Sequence, residues 1–160
     1  MRIGKYIANA GICSRRDAEK LIEQKKVFIN NIRCEHPSTL VTLKDKIVVN
    51  KKIVTLESRV RLWKMYKPIK VICTNKDPQH RKRVFDLIPN NYPRLISIGR
   101  LDFMSEGLLL FTNNGDFARQ MELPSSKILR VYRVCINGSI NPADLTAIQK
   151  GIKINGIQYN

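Results

Sequence analysis

The chain has 160 residues, with 29 lysines and arginines against 13 aspartates and glutamates, for a formal charge of +16 at pH 7. Its 43% hydrophobic content excludes a disordered chain and suffices for one sizeable core or two small ones. Residues 1–60 carry 13 basic against 6 acidic side chains (+7) and residues 61–160 carry 16 against 7 (+9), so both halves are basic and the field points to a polyanionic partner. Nucleic acid is the first candidate and an anionic membrane the second.

No run approaches the roughly 20 apolar residues that span a bilayer. The N-terminus is basic and amphipathic, without the apolar core of a secretory signal. These features predict a cytoplasmic protein with no membrane partner. Cys13, Cys34, Cys73 and Cys135 form no Cys-x-x-Cys pair, and His36 and His80 stand alone. The thiols therefore read as reduced and partly buried, and no metal site is expected.

In chain order, Ile3, Ile7 and Ala10 set out a first helix that Gly11 ends as a C′ residue. Ser14 then caps "SRRDAEKLIEQKK", with Asp17 at N3 in place of the usual Glu or Gln of a capping box. Ala18, Leu21 and Ile22 form its buried stripe. "VFIN" and "DKIVVN" read as short strands. The result is a small basic α-plus-β module over residues 1–50, followed by a linker at 51–60. Its polar faces carry Arg2, Lys5, Arg15, Arg16 and Lys20. Arg15 and Arg16 sit in the first turn of the second helix, where the macrodipole disfavours cations. Phosphate contact accounts for them, and an ordinary solvated basic face is the alternative.

Residues 61–160 are richer in strands, expected at 62–66, 69–74, 94–98, 107–112, 130–137 and 151–159. Asn113-Asn114-Gly115 marks a turn, after which Asp116 could cap the short helix "FARQMEL". "IKINGIQY" alternates about Asn155-Gly156, a strong two-residue hairpin signal. Short turns between strands favour antiparallel pairing and an α+β class.

One acid stands apart. Asp102 follows the strand candidate "RLISIGRL" and precedes the apolar run Leu108–Phe111. Beside Arg94 and Arg100, a carboxylate at a strand end would be kept ionised. An ionised, well-held Asp suits nucleophilic or general-base work on a sugar or base. A turn acid without function is the other reading of the residue alone. No Gly-rich phosphate loop accompanies it.

"GRLDFMSEGLLLFTNNGD" (residues 99–116) resembles the signature of the bacterial ribosomal RNA pseudouridine synthases of the RsuA/RluB type. Further resemblances follow in the family's order. "RIGKYIANAGICSRRDAEKLI" is similar to the small RNA-binding domain first known from a ribosomal small-subunit protein. "YKPIKVICT", "VFDLIP" and "SSKILRVYRVCINGSI" resemble segments of the catalytic domain. Together they cover essentially the whole chain.

The resemblance implies an α+β fold. A small helix-helix-strand RNA-binding domain is followed, over 61–160, by the N-terminal part of a mainly antiparallel, mixed-sheet pseudouridine synthase domain. It implies an isomerase that converts uridine to pseudouridine in ribosomal RNA as a monomer, without cofactor or metal. Asp102 would be the nucleophile. Arg100 would support the flipped nucleotide or fill its gap, and Tyr132 would lie against the target uracil. Alone, Tyr132 reads as a strand aromatic in a core. Ser105, Tyr66, Lys70 and Asn114 depart from the family's usual Thr, Asn, Gly and Asp. The family's later Arg-rich segment has no counterpart in residues 134–160, so the chain is expected to lack a C-terminal part of the domain. A non-catalytic RNA-binding remnant is the alternative function.

Overall fold

The computed structural model describes residues 1–57 and 59–159. They form two compact units, Met1–Ile128 and Leu129–Asn160.

The first unit begins with helix α1 (Ile3–Asn9). Gly11, at φ +78°, closes it. Its N–H donates to the Ala8 carbonyl and the Ile12 N–H to that of Ile7, the paired bonds of a Schellman end. Helix α2 (Arg15–Glu23) starts as expected at Ser14, whose Oγ accepts the Asp17 N–H at 3.1 Å. The short Asp17 side chain takes the Ser14 hydroxyl at 2.6 Å, where the longer Glu of a capping box would take the Ser14 backbone N–H.

Strands β1 (Val27–Ile29), β2 (Ile32–Arg33), β3 (Ile47–Val49) and β4 (Lys52–Val54) form an antiparallel sheet in the order β2-β1-β3-β4. Ile3, Ile7, Ala18 and Ile22 pack with Val27, Ile47, Val49 and Val54 in a first core. Strand β4 falls in the segment expected to be linker. Asn50 and Lys51 both take positive φ (51° and 65°), as a two-residue hairpin turn requires. The turn brings Val54 back to pair with Ile47 and to be buried.

A second core lies within the same unit. Strands β5 (Leu62–Lys67), β6 (Ile96–Ile98) and β7 (Gly107–Thr112) form an antiparallel sheet in the order β5-β7-β6. Leu109 and Phe111 pack from it against Val71, Val84 and Leu95. The strand expected at 69–74 is not formed. Pro68 removes a donor, Lys70 turns to φ +61°, and Ile72 makes only an isolated parallel bridge to Arg83. A 3-10 turn at Val84–Leu87 follows. Helix α3 (Gly115–Glu122) is capped by Asn114 rather than Asp116, its side chain accepting the Asp116 and Phe117 N–H groups at 2.9 Å each. The preceding Asn113 staples the start of β5, accepting from the Arg61 N–H and donating to the Arg59 carbonyl.

The second unit contains helix α4 (Pro142–Gln149) and the hairpin β8 (Ile152–Ile154) and β9 (Ile157–Tyr159). The expected Asn155-Gly156 turn is present, with φ of 49° and 83°. The strand expected at 130–137 is absent. Val131, Tyr132 and Val134 stand exposed, and among the described residues they belong to none of the paired strands. Alternation gives a segment strand propensity, but a strand exists only with a hydrogen-bonding neighbour.

The α+β class and the antiparallel pairing thus agree with expectation. No helix among the described residues is long and apolar enough to cross a membrane.

Candidate active site

The loop between β6 and β7 carries Arg100 and Asp102, both exposed. Gly99 turns the chain out of β6 at φ +74°, a conformation that favours glycine. The backbone that follows is held at several points. Leu101 N–H donates to Cys73 Sγ at 3.4 Å. Lys70 N–H donates to the Phe103 carbonyl at 2.7 Å, and Ser105 N–H to that of Asp102 at 3.1 Å.

The principal anchor is Lys67, at the end of β5. Its side chain is 0% exposed. Its Nζ donates to the carbonyls of Pro68 (3.1 Å), Asp102 (2.9 Å) and Ser105 (2.7 Å). An ammonium has three protons and no acceptor, so this set satisfies it completely. A buried charge is tolerated only with such partners. The outcome is an exposed carboxylate on a backbone fixed from beneath.

Lys67 was not among the expected site residues. The strand expected at 62–66 stopped one residue short of it; in the structure Trp63, Met65 and Lys67 share one face of β5, and that face meets the core. Arg94 is not the neighbour of Asp102 expected from the sequence. It is half-buried, its charge acts on Cys13 and Asp17, and burial lowers its pKa. Burial in turn pushes the Cys13 thiol up. Among the described residues, Asp102 makes no ion pair. Tyr132 is 65% exposed and belongs to the second unit.

Of the basic residues expected to meet RNA, Arg2, Arg15, Arg16 and Lys20 are exposed. Lys5 is paired instead with Asp116, in the first turn of α3, at 2.7 Å. A Cβ placed on Gly115 would lie 3.9 Å from the Arg15 guanidinium, so part of the α1–α2 face looks toward α3. A second link joins Lys76 to Asp17 at 3.8 Å.

A groove of about 350 Å³ is lined by Lys76, Asp77, His80, Arg81, Arg83 and Asp86. Its acids are taken up by its arginines, Asp77 by Arg81 at 2.8 Å and Asp86 by Arg83. The Arg81 guanidinium holds the Asp77 carboxyl down at about 2, against an ordinary 3.8. Among the described residues, no cluster of three or more His, Cys, Asp or Glu could hold a metal ion.

Comparison with known proteins places these features in context. The RNA pseudouridylate synthase family matches residues 61–159, and the S4 domain family matches residues 1–47. A Rickettsia bellii protein named as an uncharacterized RNA pseudouridine synthase is 52% identical over 159 residues, covering 99% of this chain and 69% of that protein. The ribosomal large subunit pseudouridine synthase B of Bacillus subtilis is 38% identical, covering 96% of this chain and 62% of that protein. Its namesake in Buchnera aphidicola is 35% identical, with coverages of 96% and 62%.

Proposed function

Because the chain belongs to the RNA pseudouridylate synthase family, an enzyme family that isomerises uridine in RNA, we propose that Asp102 is its nucleophile and ribosomal RNA its substrate. The observation that carries the assignment is the pairing of an exposed Asp102 side chain with a backbone tied to Lys67 and Lys70. A nucleophile must be reachable and must not wander. Side-chain exposure supplies the first condition and the carbonyl anchors the second.

In the reaction the bond from uracil N1 to ribose C1′ breaks, the base turns, and a bond from C5 to C1′ replaces it. The proton leaves C5 and N1 gains one, so the product is an isomer. The target nucleotide must first leave the RNA stack. Arg100, two residues from Asp102, supports the flipped nucleotide or fills its place, and Tyr132 stacks on the uracil. Arg2, Arg15, Arg16 and Lys20 of the S4-like part hold phosphates, and Lys5 joins them when it leaves Asp116. The names of the Bacillus and Buchnera relatives support a ribosomal target. The enzyme acts as a cytoplasmic monomer and needs no cofactor or metal.

The test is tritium release from ribosomal RNA carrying uridine labelled at C5. Asp102→Asn is expected to abolish release while RNA affinity stays near that of the parent. Release retained by Asp102→Asn overturns the nucleophile assignment.

A further inference from the structure

Helix α3 ends at Glu122, where a carboxylate is poorly placed for the helix itself. The last-turn carbonyls carry the negative end of the macrodipole, and an acid there is mildly destabilising. The side chain has a partner outside the helix. Its Oε1 accepts the Gly99 N–H at 2.7 Å, a short bond to an ionisable acceptor. Gly99 is the positive-φ residue that swings the chain out of β6 toward Arg100 and Asp102.

Apart from the bond of Ser105 N–H to the Asp102 carbonyl within the loop, the ties described above come from a different stretch, residues 67–73. They are Lys67 to the carbonyls of Asp102 and Ser105, Lys70 N–H to that of Phe103, and Cys73 Sγ to the Leu101 N–H. Those bonds hold residues 101–105. Glu122 holds the hinge that precedes them, and it does so from a helix that packs on β6 and β7. Backbone fixed on both sides of Arg100 leaves the Arg100–Asp102 segment little freedom to rotate.

We infer that Glu122 is a positioning residue for catalysis, acting on Asp102 through Gly99. This inference rests on the assignment of Asp102 as nucleophile. Glu122 touches no reacting atom. Its contribution is to keep the turn in the orientation from which the Asp102 carboxylate reaches the ribose or base, and small misplacements of such groups are expensive in rate.

The experiment compares Glu122→Ala with Glu122→Gln in the full chain, because Gln keeps an amide oxygen able to accept the Gly99 N–H. Two readouts need no turnover. The Gly99 amide proton should move upfield in Glu122→Ala and much less in Glu122→Gln. Amide exchange at Gly99 and Leu101 should quicken in Glu122→Ala alone. The third readout is tritium release from C5-labelled RNA. Here kcat should fall roughly tenfold in Glu122→Ala with KM nearly unchanged, and Gln should restore most of it. Glu122→Met keeps the bulk without an oxygen acceptor, so a packing role would let Met restore kcat and slow exchange as Gln does, whereas the tie to Gly99 predicts that Met behaves like Ala.

An unmoved Gly99 resonance in Glu122→Ala overturns the tie. A moved resonance with unchanged kcat overturns the positioning role. Retained turnover in Asp102→Asn strikes the nucleophile assignment instead, and it does so without altering how Gly99 answers to Glu122.

Discussion

Lys67 Nζ stands 2.9 Å from the carbonyl oxygen of Asp102, so the candidate nucleophile is held through its backbone by a buried cation while its own side chain stays free. Replacing that cation leaves the carbonyls of Pro68, Asp102 and Ser105 without their common donor in a dry site. Lys67→Met should therefore lower unfolding free energy by about 2–3 kcal/mol, even though Met fills most of the volume. Urea unfolding measures the loss. Amide exchange at Ser105 should rise more than exchange in β3, which belongs to the other core. Uniform loosening of both cores would argue against a local anchor.

The opposite roles of Lys67 and Asp102 also explain what the sequence could and could not disclose. Features written in a few adjacent residues were legible. Examples are the Ser14 cap, the helix stop at Gly11, the Asn155-Gly156 hairpin and the apolar run of β7. Features that depend on a distant partner were not. Lys67 reads as a polar strand end until its partners 35 and 38 positions away are known. The segments at 69–74 and 130–137 have strand-like composition, yet in one Lys70 leaves the extended region and beside the other no strand pairs. Strand β4 was missed for the reverse reason. Its turn uses Asn50-Lys51, with no glycine to announce it.

The basic residues of the first module should not contribute equally to RNA binding. Arg16 and Lys20 are exposed, whereas Lys5 is engaged by Asp116 at 2.7 Å. Arg15→Ala with Arg16→Ala should weaken affinity and flatten its salt dependence by roughly one counterion-release unit per lost phosphate contact. Lys5→Ala should change the slope less, because its partner must be displaced before RNA gains anything. Asp116→Asn should remove that difference. Filter binding across a salt series measures all of these, and equal slopes for Lys5→Ala and Arg16→Ala would refute the ranking.

Acid should loosen the segment around the basic groove before it unfolds the whole unit. The Arg81 guanidinium holds Asp77 down at about 2, and the Arg83 guanidinium lowers Asp86. A carboxyl depressed in the folded state stabilises above its unfolded pKa, near 3.9, and that contribution is lost as pH falls through the folded value. The window is therefore about pH 4 to 2. The protection factor of the Arg81 N–H, which donates to Asp77 at 2.8 Å, should fall across it. Asp77→Asn should show the reduced protection already at neutral pH. A protection factor that stays constant across that window would mean that the pair holds nothing in place.

The Asn50-Lys51 turn offers a stabilising change. Lys51 sits at φ 65° in the second central position of a two-residue hairpin, a conformation that costs an L-residue with a Cβ and costs glycine little. Asn-Gly is the preferred pair for such turns. Lys51→Gly should therefore raise stability by up to about 1 kcal/mol, since relief of strain in the folded turn outweighs the extra freedom glycine gives the unfolded chain. Thermal unfolding gives the sign directly. If Tm falls instead, the entropy of the unfolded chain dominates at this turn, and the positive φ at Lys51 carries little strain.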